Sequence, residues 1–196
     1  MPLSIRRTPV TTFLLIAIAI GYGLQLWKGD DLVVAAGANY GPAVWGGGEY
    51  WRLVTSMFLH GGFVHLALNA WALYQLGSLF EIWMGSGRML GVYFATGIAA
   101  SVTSTYFSKV PSIGASGAIF GLLGALIASL LRRRSALTPQ GRSILMQLVS
   151  WAVLNVVFGF SMPGIDNSAH LGGCAAGLLL GFALPEPGRM TPQIVD

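Results

Sequence analysis

The chain has 196 residues, of which 54% are hydrophobic and only 9% are charged. A soluble domain carries about 25% charged residues, so an ordinary water-exposed fold is excluded. The formal net charge of +4 would suit nucleic acid in a soluble chain, but in an apolar one basic residues gathered on the cytoplasmic side explain it better, and no nucleic-acid partner is expected. The lone cysteine, Cys174, forbids an internal disulfide.

The apolar residues fall into runs close to the 17 to 20 or so that cross a bilayer. The first, residues 11–27, follows a short tail carrying Arg6 and Arg7; no small-residue cleavage site follows it, so it reads as a helix that stays. Residues 28–59 break the pattern with glycines, a few charges, Trp45, Tyr50 and Trp51. Such a mixture suits a structured loop at the membrane surface, and its length predicts that it is functional or partly helical. Further spans are predicted at 63–80, 89–107, 116–131, 144–160 and 169–184. A tight turn at Gly85-Ser86-Gly87-Arg88, a basic loop from Arg132 to Arg142 and a polar break from Ser161 to Asn167 separate some of them. The expectation is one all-α membrane domain of six spans over residues 1–196, with its core at about 11–184 and both termini on one side. That side holds Arg6, Arg7, Arg88, Arg132, Arg133, Arg134, Arg142 and Arg189, against Lys28, Arg52 and Lys109 on the other, so it is cytoplasmic.

Polar groups inside spans are costly and are functional candidates by default. Ser116 opens the fourth span between Gly114 and Gly117. It can cap the helix, or act as a nucleophile where free N–H groups favour developing negative charge. His170 opens the sixth span, with Gly173, Gly177 and Gly181 at helical offsets of about −60°, −20° and +20°, hence on its own face. The fourth span has a matching small-residue stripe: Gly117, Gly121, Gly124 and Ala128. Close packing of the two stripes would bring Ser116 level with His170, a nucleophile beside a general base. Asp166 can cap the sixth helix or touch the ring of His170, and the cap is favoured by its place at the polar break. Cys174 is a rival nucleophile that reads as a packing residue, since a thiolate is disfavoured deep in an apolar helix. His65 and Asn69, four apart, share a helix face, either as interhelical glue or as part of a site. No acid or cysteine completes a zinc spacing with His60, His65 and His170.

These residues resemble the motifs of one known family, the rhomboid intramembrane serine proteases. Gly114-Ala115-Ser116-Gly117 is similar to their G-x-S-G motif, and Ala169-His170-Leu171-Gly172-Gly173 to their A-H-x-x-G motif. His60 to Asn69 resembles the second-helix signature ending in H-x-x-x-N, and Trp51-Arg52 the W-R pair of the first loop. The similarity covers about residues 11–184 with the motifs in family order. It implies Ser116 as nucleophile and His170 as general base, a dyad without an acid. His65, Asn69 and the Ser116 N–H would form the oxyanion hole. Trp51, Arg52 and His60 would hold the first loop, and Phe120 would stack on the histidine where a tyrosine is frequent. It further implies a protein without cofactor or metal, acting on transmembrane segments of other proteins in the bilayer; the absence of targeting segments points to a bacterial inner membrane, and the basic residues put Ser116 and the His170 end of the sixth span toward the outer face. Relatives that bind clients without cleaving them lack the serine or the histidine, whereas both are present here.

Overall fold

The computed structural model describes residues 8–162 and 164–185. The polar ends, with Arg6, Arg7 and Arg189, and Pro163 of the polar break lie outside them. The described residues are helical almost throughout, with no strand beyond an isolated antiparallel bridge between Asn39 and Ser112.

Each apolar run forms a helix. α1 is Pro9–Lys28, and the first loop contains α2, Asp30–Gly37, and the short α3, Arg52–Thr55, which continues as a 3-10 turn, Ser56–Phe58. The loop is therefore partly helical, as its length predicted. α4, Phe63–Ala72, runs through a π-helical turn, Leu73–Gly77, into α5, Ser78–Met84. Then follow α6, Ser86–Phe107; α7, Ser116–Arg132; α8, Pro139–Ser161; and α9, Asn167–Ala183. α8 begins before its apolar run because Thr138 caps it, accepting from the Gly141 N–H at 3.1 Å, and Pro139 suits the first helical position.

α1 and α8 are each long and apolar enough to cross a membrane alone. The segment Arg52–Phe58 and the rod Phe63–Met84, bent by 95° at the break between them, add a third candidate taken together. The sequence predicted six, and the difference has a compositional cause. α7 and α9 are 17 residues each, and α6 is diluted by Arg88, Thr96, Ser101, Thr103, Ser104 and Thr105.

α7 is the axis of the fold, with every residue from Gly117 to Leu130 buried. α9 lies along one side of it so closely that side chains are excluded. A Cβ added at Gly173 would stand 2.0 Å from the Gly117 carbonyl oxygen, and one at Gly177 would stand 1.9 Å from that of Gly121. α6 lies along another side, where Gly117 meets Ala100 and Gly121 meets Thr96. The small residues of α7 thus serve two neighbours: Gly124, against the Cys174 carbonyl, faces α9, while Gly117 and Gly121 turn their missing side chains to α6.

α1 packs through the stripe Thr11, Leu14, Ile18, Gly21 and Gln25. Its free N-terminal N–H groups are satisfied from another helix. The buried Glu81 carboxylate accepts from Val10 N–H (2.9 Å), Thr11 N–H (2.8 Å), Thr11 Oγ1 (2.7 Å) and Ser86 Oγ (2.6 Å).

Candidate active site

The segment before α7 is suspended from the first loop. Asn39 and Ser112 exchange two backbone hydrogen bonds (2.9 and 2.8 Å), and the Asn39 side chain donates to the Ser101 carbonyl of α6 (2.9 Å). The Gly114 N–H donates to the Ser56 carbonyl (2.9 Å). Gly114 has φ +129°, a conformation that side chains disfavour, and a Cβ there would stand 2.9 Å from Cε1 and Nε2 of His65. Glycine is required twice over, by the turn and by the imidazole lying on it.

Ser116 is the first residue of α7, and the capping position belongs to Ala115, whose side chain makes no cap bond. The serine side chain goes elsewhere. Its Oγ lies 2.9 Å from Nε2 of His170, across the α7–α9 contact, and both residues are half-buried. The ring of Phe120, one turn along α7, stacks on the imidazole with centroids 4.2 Å apart and planes 9° from parallel. Trp151 of α8 backs Phe120 at 5.8 Å. Nδ1 of His170 is buried without a hydrogen-bond partner among the described residues.

Asp166 caps α9, accepting from the Ala169 N–H (3.1 Å); it also accepts from Ser104 Oγ (2.5 Å) and from the Ser168 hydroxyl. Burial pushes its carboxyl up, but the bonds from Ser104, Ser168, Ser112 and Ala169 outweigh this and hold it below the ordinary 3.8. The carboxylate reaches α9 through its backbone rather than through the ring of His170.

His65 lies on Gly114, beside Ser116. Its Nδ1 accepts from the Gly61 N–H at 3.2 Å, so in the neutral ring the hydrogen sits on Nε2, which with Cε1 forms the edge of the ring against Gly114. Asn69 is buried on the same helix and donates to the His65 carbonyl at 2.9 Å; its bond is to α4 and not to Ser116. His60 is fully buried, with its ring edge-on to His65 at 5.2 Å. Burial, aided by His65, holds it at about 4, so it is neutral near pH 7.

Arg52 pairs with Glu49 at 2.5 Å and donates to the Ala38 carbonyl at 2.9 Å, while Trp51 Nε1 donates to the Ala36 carbonyl at 3.2 Å. Both tie α3 back to the end of α2. Gly173 and Gly177 stand at the α7–α9 contact, and the Cys174 carbonyl packs on Gly124 in the same interface. Sequence reasoning did not single out Gln25, Asn39, Ser56 or Glu81, each of which bridges elements distant in the chain. A glutamine inside an apolar run was a usable signal; Asn39 and Ser56, in a polar loop, offered none.

Chemically, this is a hydroxyl within hydrogen-bond distance of an imidazole nitrogen, at the start of a helix whose first N–H groups lack intrahelical acceptors. A model of the Rhomboid domain matches residues 47–187. The chain is similar to Rhomboid protease GluP of Bacillus subtilis, 41% identical over 185 residues, 91% of this chain and 36% of that one. It is similar also to RHOMBOID-like protein 5 of Arabidopsis thaliana, 39% identical over 154 residues, 76% of this chain and 49% of that one. With YdcA of Bacillus subtilis it is 34% identical over 189 residues, 91% of this chain and 89% of that one. The chain thus spans less than half the length of the first two relatives and most of the third.

Proposed function

The chain belongs to the rhomboid family, and from that premise we propose that it is an intramembrane serine endopeptidase that cleaves transmembrane segments of other membrane proteins. The single observation that carries this is the 2.9 Å contact between Ser116 Oγ and His170 Nε2. In this reading Ser116 attacks a substrate carbonyl while its proton passes to His170. The tetrahedral oxyanion is met by the Ser116 N–H, by His65 Nε2–H and by the Asn69 amide, which turns from the His65 carbonyl. The amide C–N bond then breaks, His170 gives its proton to the leaving amine, and water releases the acyl group by the reverse sequence. Phe120 holds the imidazole plane in place of a buried acid. A client-binding protein without catalysis needs neither group, and both are present and touching.

The six apolar helices or helix pairs would each cross the bilayer: α1, α4 with α5, α6, α7, α8 and α9. With the basic residues inside, both termini are cytoplasmic and Ser116 opens toward the outer face of a bacterial inner membrane. Water reaches it from that side. A substrate helix has to unwind locally to expose its carbonyl, so small or helix-breaking residues near the cut favour cleavage.

Purified protein incubated with a panel of single-span substrates, with mass spectrometry of the products, tests this. Cleavage by the native chain that is lost in Ser116→Ala and in His170→Ala is the expected result. Full activity in either variant overturns the assignment.

A further inference from the structure

Gln25 is the last member of the buried stripe of α1 and is fully buried. Its side chain clamps one residue of the first loop from both sides. Oε1 accepts from the His60 N–H (2.9 Å), and Nε2 donates to the His60 carbonyl (2.9 Å). The same Nε2 donates to Asp30 Oδ1 at 2.6 Å. A buried amide with this many bonds is a fixed point, because releasing any partner leaves a polar group unsatisfied.

The clamped residue leads directly to the site. The next residue in the chain, Gly61, supplies the N–H that meets Nδ1 of His65. The ring of His60 itself stands edge-on to His65. A neutral imidazole has one nitrogen that accepts and one that donates, and the bond made by one decides the role of the other. With Nδ1 accepting, Nε2–H is the donor, and Nε2 is, with Cε1, the edge of the ring that lies against Gly114, two residues before Ser116.

We propose that Gln25 is a positioning residue for His65: by fixing the backbone of His60 it aims the Gly61 N–H at Nδ1 and so keeps the Nε2–H of His65 turned toward Ser116. The proposal rests on the protease reading, with His65 as an oxyanion donor. Without the clamp the Gly61 N–H swings away, the ring samples both tautomers, and the donor is present only part of the time.

The test is Gln25→Met, which keeps the volume and removes the hydrogen bonds. Gln25→Glu, which keeps an acceptor for the His60 N–H and loses the donor, carries the same test if the first variant does not fold. The protein is labelled with 15N-histidine, and long-range proton–nitrogen correlations report the tautomer of each ring, His65 being assigned by its loss in His65→Gln. The native chain is expected to show His65 protonated at Nε2 alone, and the variant a mixture. In parallel, kcat on a cleaved substrate is expected to fall about tenfold, as for a modest misplacement of a catalytic group, with KM nearly unchanged, as when only a transition-state contact is lost. An unchanged tautomer in the variant overturns the proposal whatever happens to kcat, since a merely structural glutamine would behave that way. A native His65 protonated at Nδ1, or a shifted tautomer with native kcat, overturns it as well. Failure of the protease reading is distinguishable, because there the native chain would not cleave, or Ser116→Ala would cleave like it, whereas the tautomer of His65 is read without any substrate.

Discussion

α7 and α8 are both apolar helices, yet they do opposite work. α7 is buried from Gly117 to Leu130. α8 is longer, and it buries only Gly141, Leu148 and Gly159. In a water-soluble protein a helix apolar all round is a core helix. In a bilayer, apolarity reports contact with lipid and with protein alike, so the two helices cannot be told apart by hydropathy. What separates them is the small residues. α7 carries Gly117, Gly121, Gly124, Ala125 and Ala128, which admit neighbouring backbones, whereas the exposed face of α8 carries Met146, Val153, Leu154, Val157 and Phe158.

The contrast is broken most severely at Gly177. A valine there has its Cβ within 1.9 Å of a backbone oxygen that no rotamer change can move. Gly177→Val should destabilise the protein by about 4 kcal/mol or more, the range of severe overpacking against backbone. Thermal unfolding in detergent measures this, and substrate cleavage should vanish with the α7–α9 contact. A milder change on the same axis is Phe120→Leu, which keeps an apolar side chain there and removes the stack on His170. Activity should fall about tenfold, or about 1.4 kcal/mol in the barrier, with a far smaller loss of stability than Gly177→Val.

Next in size is the cap of α9. Asp166→Ala should cost about 1 kcal/mol near neutral pH, the usual worth of an N-cap side chain. The carboxyl is held below its ordinary 3.8 in the folded chain, so its stabilisation is complete above that value and is lost as pH falls through the lower folded value. The gap between native and variant unfolding temperatures should therefore close in acid below pH 3.8. Smallest of all are Val153→Ala and Leu154→Ala on the exposed side of α8. Each should change stability by less than about 0.5 kcal/mol, as for surface positions elsewhere. A large loss at either would mean that α8 is packed against protein.

Much of this was legible in the sequence, for local reasons. Ser116 and His170 stood at the openings of apolar runs next to glycines, and the helical period alone put Gly173 and Gly177 on the histidine's face. The H-x-x-x-N spacing put His65 and Asn69 on one face of α4. Less legible was the partner of each stripe. Gly117 and Gly121 turn their bare Cα atoms to α6, which the periodicity of α7 does not reveal. Nor could spacing show that Gln25 meets His60, 35 residues away, or that Glu81 meets the start of α1, 70 residues back. Such bonds depend on how helices are arranged, and nothing in the local pattern encodes them. Only two or three of the six expected spans stand out by length and composition, for a related reason. α6 and α9 each bury one face, and that face carries small and hydroxyl residues, Thr96, Ser101 and Ser104 on α6 and Gly173, Gly177 and Gly181 on α9.

The central claim is that the α7–α9 contact makes Ser116 a nucleophile by pressing it against His170. The most direct measurement is the intact mass, and the mapped adduct, of the protein after treatment with a fluorophosphonate. One adduct on Ser116 in the native chain, and none in His170→Ala at equal folding, is the expected result. An undiminished adduct in His170→Ala, or labelling at a residue other than Ser116, would contradict it.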